Sequence, residues 1–171
     1  ENKEDLLSHA NVKTAYDTAV AAVTNIENTQ ETVDAAEAAL QAALDDLQAA
    51  QKVTEEINAL PTVEELILEN ADAVKAAREA YAVLTESQKA LVLQEALEKL
   101  SSLESRIAEL TEDTEAARQA EEEINALPSV EDLTLDDADA VKAAREAYEN
   151  LTETQKILVG QEALKNLEAL E

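Results

Sequence analysis

The residues with the most chemical potential in this sequence are its carboxylates. Close pairs occur at Glu55/Glu56, Glu64/Glu65 and Glu69/Asp72, with a cluster at Asp136/Asp137/Asp139. Two carboxyl groups can hydrolyse a glycoside when they face each other across a cleft and a low-dielectric surrounding keeps one protonated. Clustered carboxylate oxygens can instead hold calcium. The 171 residues include 39 acidic ones, so short spacings arise by chance and select no pair. The acidic stretches 64–70 and 131–137 lack the Asp-x-Asp-x-Asp-Gly order of an EF-hand loop and have no glycine for its sharp turn. Acidic residues near a helix start offset the helix dipole, and that is the role expected of them here. His9 is the single histidine and cysteine is absent, which excludes a histidine acid-base pair, a thiolate metal site and a disulfide within the chain. No catalytic, cofactor-binding or metal-ligating residue is assigned, and no cofactor is expected.

The basic residues are sparse but regularly placed. Lys75 and Arg78 recur as Lys142 and Arg145. Such a pair could recognise an acidic or glycan ligand, although in a chain this acidic its expected role is to neutralise nearby glutamates. Thirteen basic residues leave a formal charge of −26 with no basic cluster, which disfavours nucleic acid and anionic membranes as partners. Charge repulsion of this size predicts a monomer. No apolar run approaches the roughly 20 residues needed to span a bilayer, and no signal peptide or tag is visible. The chain reads as a soluble fragment excised from something larger.

The elements that position these groups are set by an internal repeat. Glu55 to Leu97 returns as Glu122 to Leu164 at a constant offset of 67 residues, as from Ile57 to Ile124. A period of this size marks one supersecondary unit stacked in series, each unit leaning on its neighbour. With one Gly, two Pro and a predominance of Ala, Leu, Glu, Gln and Lys, the chain is expected to be almost entirely helical. Trp, Phe and Met are missing, so helices must pack closely on narrow stripes of Ala, Leu, Val and Ile.

Near the N-terminus Leu6, Leu7, Tyr16, Val20, Val23 and Ile26 fall at loosely helical spacings, with a break expected at His9-Ala10-Asn11. Thr29 supplies cap chemistry, and Val33, Ala36, Leu40, Ala43, Leu44 and Leu47 then predict a helix running unbroken to about Leu60. Pro61 forbids simple continuation. The following connection carries anchors expected to be buried at Val63, Leu66 and Leu68, matched by Val130, Leu133 and Leu135. Thr134 to Asp137 is expected to cap the next helix in the second copy, and Asn70 in the first. That helix, Ala71 to Leu84, places Val74, Ala77, Tyr81 and Leu84 on one face. Thr85 to Gln88 and Thr152 to Gln155 have capping-box spacing, so a third helix is expected to start at once and run through Thr111 to Thr114 into the next copy. The predicted fold is all-α, tandem three-helix bundles sharing long connecting helices in a spectrin-like rod. Its divisions are 1–50, 51–112 and 113–171.

The copies differ most at Ala82/Glu149, Val83/Asn150, Ala90/Ile157 and Leu93/Gly160. A packed interior tolerates such changes poorly, so these positions are expected to be exposed. Ala82, Val83, Ala90 and Leu93 thus form a candidate binding patch on the first copy alone.

The motifs Ile-Asn-Ala-Leu-Pro, Ala-Val-Lys-Ala-Ala-Arg-Glu-Ala-Tyr and Leu-Thr-Glu-Ser-Gln-Lys-Ala-Leu-Val resemble helical repeats found in large surface proteins and secreted glycosidases of Gram-positive bacteria. The stretch from Thr29 to Leu47 looks like the end of a FIVAR (found in various architectures) module, a match over roughly residues 12 to 48 with its first helix short or missing. These families share no active site. What the resemblance implies is an extracellular region at the bacterial cell surface or wall: a non-catalytic spacer or stalk that projects an adhesive or catalytic domain. The alternative is a helical module that captures a host protein or glycan.

Overall fold

The computed structural model describes residues 6–25 and 27–170, so Ile26 of the first apolar series lies outside the described residues. The protein is all-α, with no strand among the described residues. Two compact units form. The first takes the chain up to Glu65 together with Asn70–Glu104, and the second takes Leu66–Glu69 together with the chain from Ser105 onward.

In the first unit α1 (Ala10–Thr24) and α2 (Gln30–Asn58) pack against each other. Thr29 is extended, and its hydroxyl accepts the Thr32 amide at 3.4 Å, starting α2 as its cap. The side-chain amide of Asn28 donates to Ala22 O at 2.9 Å and fixes the turn between the two helices. The buried residues of α1 are Val12 and Ala22, whereas Val20 and Val23 are exposed. The helical spacing of Tyr16, Val20 and Val23 is realised in α1, with both valines on its exposed side. Its neighbour α2 presents alanines at Ala35, Ala36 and Ala39, and small residues allow close backbone approach without long side chains between.

Helix α2 ends before Pro61 as its missing amide hydrogen requires. Leu47, Ala50, Val53 and Ile57 of α2 are buried at helical spacing. They pack near α3 (Ala71–Ala82), whose Val74 and Ala77 are buried while Tyr81 and Leu84 are half-buried. A single 3-10 turn, Leu68–Asn70, leads into α3. Asn70 is already in the right-handed helical region and its side chain makes no cap bond, so the expected asparagine cap is replaced by that turn.

The third helix does not start at the Thr85 box. Thr85 and Gln88 cap a short α4 (Glu86–Lys89), the chain then turns, and α5 begins at Gln94. The second copy repeats the break between α7 (Glu153–Leu158) and α8 (Gln161–Leu170), with Val159 extended between them. The reason is tertiary: the break turns Val92 and Val159 inward, where 7% and 3% of their surface stays exposed.

Helix α5 (Gln94–Asn125) continues for 32 residues. Thr111 and Thr114 do not interrupt it, because their hydroxyls donate to the carbonyls of Ile107 and Leu110 at 2.7 and 2.8 Å within the helix. Its residues up to Glu104 belong to the first unit and those from Ser105 to the second. In the second unit, Ala117 and Ile124 of α5 join Val141 and Ala144 of α6 (Ala138–Glu149), Val159, and Ala163, Leu167 and Leu170 of α8 in one core. Tyr148, Leu151 and Leu133 pack on its edge.

The connections depart from expectation. Leu66 is buried and Val63 and Leu68 are half-buried, but in the second copy only Leu133 is half-buried. Val130 is 58% exposed and Leu135 is 95% exposed. The matched pairs are Leu66/Leu133 and Leu68/Leu135, and in each the leucine of the first copy is the more buried.

Candidate functional site

Ala82 ends α3 and Val83 follows it, whereas Ala90 and Leu93 lie in the turn between α4 and α5. All four are exposed, Val83 by 82% and Leu93 by 56%. Leu93 lines a shallow cavity of about 180 Å³ with His9, Gln51, Thr54, Glu55 and Leu91, a lining that includes none of the other three. His9, half-buried there, is the extended residue preceding α1 and makes no side-chain cap bond.

The second copy is built differently at the Leu93 position. The Gly160 amide donates to Glu121 Oε2 at 3.0 Å, and a Cβ on Gly160 would meet Glu121 Oε1 at 2.8 Å. Gly160 is therefore half-buried beneath a carboxylate, which corrects its expected exposure. In the first copy the counterpart of Glu121 is Thr54, buried, with its hydroxyl on Ala50 O at 2.9 Å. The small and large residues exchanged places as a pair, a signal present in the sequence but meaningless until the two positions are known to meet.

Acidic side chains in the connections close two local turns and one helix start. Glu65 accepts from the Thr62 hydroxyl at 3.0 Å, Asp132 from the Ser129 hydroxyl at 2.7 Å, and Asp137 from the Thr134 hydroxyl and amide at 2.7 and 2.9 Å. Donation from Thr134 lowers the proton affinity of Asp137. Among the described residues no group of three or more His, Asp and Glu side chains is placed to hold a metal ion. The Glu55/Glu56, Glu64/Glu65 and Glu69/Asp72 pairs are exposed. A catalytic acid needs a raised pKa, but Glu115 is moved the other way, to about 2, by hydrogen bonds from Arg118 and then Gln119.

The repeated basic residues face partners. Arg78 clamps Glu104 through two 2.6 Å bonds, Nε to Oε1 and Nη2 to Oε2, and its guanidinium lies 5.7 Å from the Tyr81 ring centre. The Glu104 carboxylate raises the Arg78 pKa. Arg145 lies 5.9 Å from the Tyr148 ring centre, and Lys75 and Lys142 reach Glu79 and Glu146 one turn along their helices at 3.9 and 3.7 Å. This is the neutralising arrangement rather than an open cationic surface.

Two concave surfaces in the second unit were not legible in the sequence. One, of about 410 Å³, lies at the C-terminal end of α5 and is lined by Asn125, Leu127, Pro128 and Asn166 among others. The other, of about 440 Å³, is lined by Leu133, Leu135, Val141, Arg145 and Leu170 among others. No helix among the described residues is long and apolar enough to cross a membrane. Comparison with protein-family models, with curated proteins and with solved structures gives no match in any of the three.

Proposed function

We propose that this chain is a non-catalytic structural spacer, a stalk segment of a protein at the surface or in the wall of a Gram-positive bacterium, where it projects an adhesive or catalytic domain. The observation that supports the reading is α5, one 32-residue helix that contributes to both compact units. A helical connection is far stiffer than a flexible linker, which is what a spacer requires. The high acidic charge supports a monomeric, self-repelling segment, and the surface location rests on the resemblance of the repeat motifs. The test places a fluorophore at each end and measures their separation before and after removal of residues 51–117, one 67-residue period. The separation should shorten by on the order of 40 Å, the rise of a helix of about 30 residues. An unchanged separation contradicts the spacer.

A second reading, a helical module that captures a host protein or glycan, is favoured by the exposure of Val83 at 82% and Leu93 at 56%. Its test is retention of a serum or matrix component by the intact chain. Loss on replacing Val83 and Leu93 by Glu, with helicity preserved, supports it.

A further inference from the structure

Helices α2 and α5 end on the same motif, Ile-Asn-Ala-Leu-Pro, at residues 57–61 and 124–128. Their last turns are built alike. The amides of Ala59 and Leu60 donate to the carbonyls of Glu55 and Ile57 at 2.9 and 3.2 Å, and those of Ala126 and Leu127 donate to Glu122 and Ile124 at 3.0 and 3.2 Å. Beyond each proline the turn also closes in the same way, from Glu65 to Thr62 at 3.2 Å and from Asp132 to Ser129 at 3.0 Å. Matched backbones therefore present matched carbonyls: Asn58 and Leu60 in the first copy, Asn125 and Leu127 in the second.

The two ends differ in their cation. In the first copy the half-buried Lys99 donates from Nζ to Asn58 O at 2.9 Å and to Leu60 O at 2.7 Å. The residue 67 positions further on is Asn166, shorter and uncharged. It lines a cavity of about 410 Å³ within the second unit, together with Asn125, Leu127, Pro128, Val130 and Leu170. The C-terminal end of a helix carries partial negative charge, so this cavity joins an apolar wall to a site that favours a cation.

We infer that the cavity binds a primary alkylammonium group, which takes the place that Lys99 Nζ holds in the first copy. Its N–H groups donate to the carbonyls of Asn125 and Leu127, and its carbon chain lies along Leu127, Pro128, Val130 and Leu170, as a lysine stem lies along apolar surface. The chain charge of −26 draws cations towards the surface without selecting among them. The two carbonyls supply the selection, because a quaternary ammonium has the same charge and no N–H to donate. A lysine side chain of a partner and a free amine present the same group, and the site serves a spacer and a binding module equally.

The test titrates the intact, isotope-labelled chain with n-butylammonium chloride and follows the backbone amides by NMR, with tetramethylammonium chloride at equal concentration as the control for charge and ionic strength. Butylammonium should shift the amides among residues 125–130 saturably at millimolar concentration. Asn166→Lys supplies the chain's own ammonium at a helix end that favours it, and should weaken the binding by about tenfold or more. The same titration with Nα-acetyl-lysine N-methylamide separates the sources: tighter binding than butylammonium assigns a lysine side chain, weaker binding a free amine, and either supports the site. Equal shifts with tetramethylammonium overturn the proposal, as does unchanged binding in Asn166→Lys. Equal shifts at residues 58–63, where Lys99 already holds the place, overturn it as well.

Discussion

Gln88 Nε2 donates to Asp46 Oδ1 at 2.9 Å, and Gln155 Nε2 donates to Asp113 Oδ1 at the same distance, with 42 residues between the partners in both cases. Each glutamine also accepts its own cap threonine's amide through Oε1, at 3.0 Å from Thr85 and 2.9 Å from Thr152. One side chain thus closes a local cap and ties it to a distant helix. The structural repeat reaches back to Asp46 and Asp113, beyond the first position of close sequence similarity at Glu55. Gln88→Glu keeps the capping acceptor but sets a second carboxylate against Asp46, and is expected to destabilise by about 1 kcal/mol. A double-mutant cycle of Gln88→Ala with Asp46→Ala, read by thermal unfolding, should show coupling of about 0.5–1.5 kcal/mol. Additive effects would show the tie to be inert.

Lys99 distinguishes the two helix ends. Its Nζ donates to the carbonyls of Asn58 and Leu60 at 2.9 and 2.7 Å, where the α2 dipole is negative. Asn166 stands at the matching place in the second copy. Asn166→Lys should raise the stability of the second unit by about 0.3–1 kcal/mol, and Lys99→Met should lower that of the first by a similar amount. Denaturant melts of both variants check this.

The Glu121 and Gly160 pair predicts compensation. Gly160→Leu displaces the carboxylate and strands its hydrogen bond, at a cost of about 1 kcal/mol or more. Adding Glu121→Thr restores the Thr54 and Leu93 combination of the first copy, so the double variant should be more stable than Gly160→Leu alone. A double variant no better than the single one would show that the sites are uncoupled.

Leu66 and Leu135 stand at different positions of the two connections and in opposite surroundings, 4% and 95% exposed. Leu66→Ala is expected to cost about 2–4 kcal/mol, whereas Leu135→Ala should stay within about 0.5 kcal/mol of neutral in thermal unfolding.

Acid should erase the contribution of Arg118. Its hydrogen bonds hold the folded pKa of Glu115 at about 2, below the ordinary carboxylate value of 4.5. A carboxyl group depressed by folding stabilises the protein above its unfolded pKa, and this contribution is lost as pH falls through the folded value. The difference in melting temperature between the parent and Arg118→Met should therefore be present at neutral pH and shrink between pH 4.5 and about 2. A difference that persists at the acid end would place the effect in packing of the arginine stem.

The sequence by itself determined the helical class, the 67-residue period, the turn at Pro61, the capping boxes at Thr85 and Thr152 and the passage of α5 through Thr111 and Thr114. These follow from forces acting within a few residues: propensity, cap geometry and the missing proline amide. The tertiary structure decided the rest. Val92 and Val159 turn inward and break a stretch that propensity alone would keep helical. Leu68 is half-buried and Leu135 is bare although the repeat matches them, because burial depends on what the rest of the fold lays over a residue. Of the acidic residues in the connections, Asp137 closes a helix start with Thr134 while Glu65 and Asp132 close turns, and the glutamine bridge to Asp46 was not legible. A hydrogen bond across 42 residues leaves no periodicity and no local spacing to read.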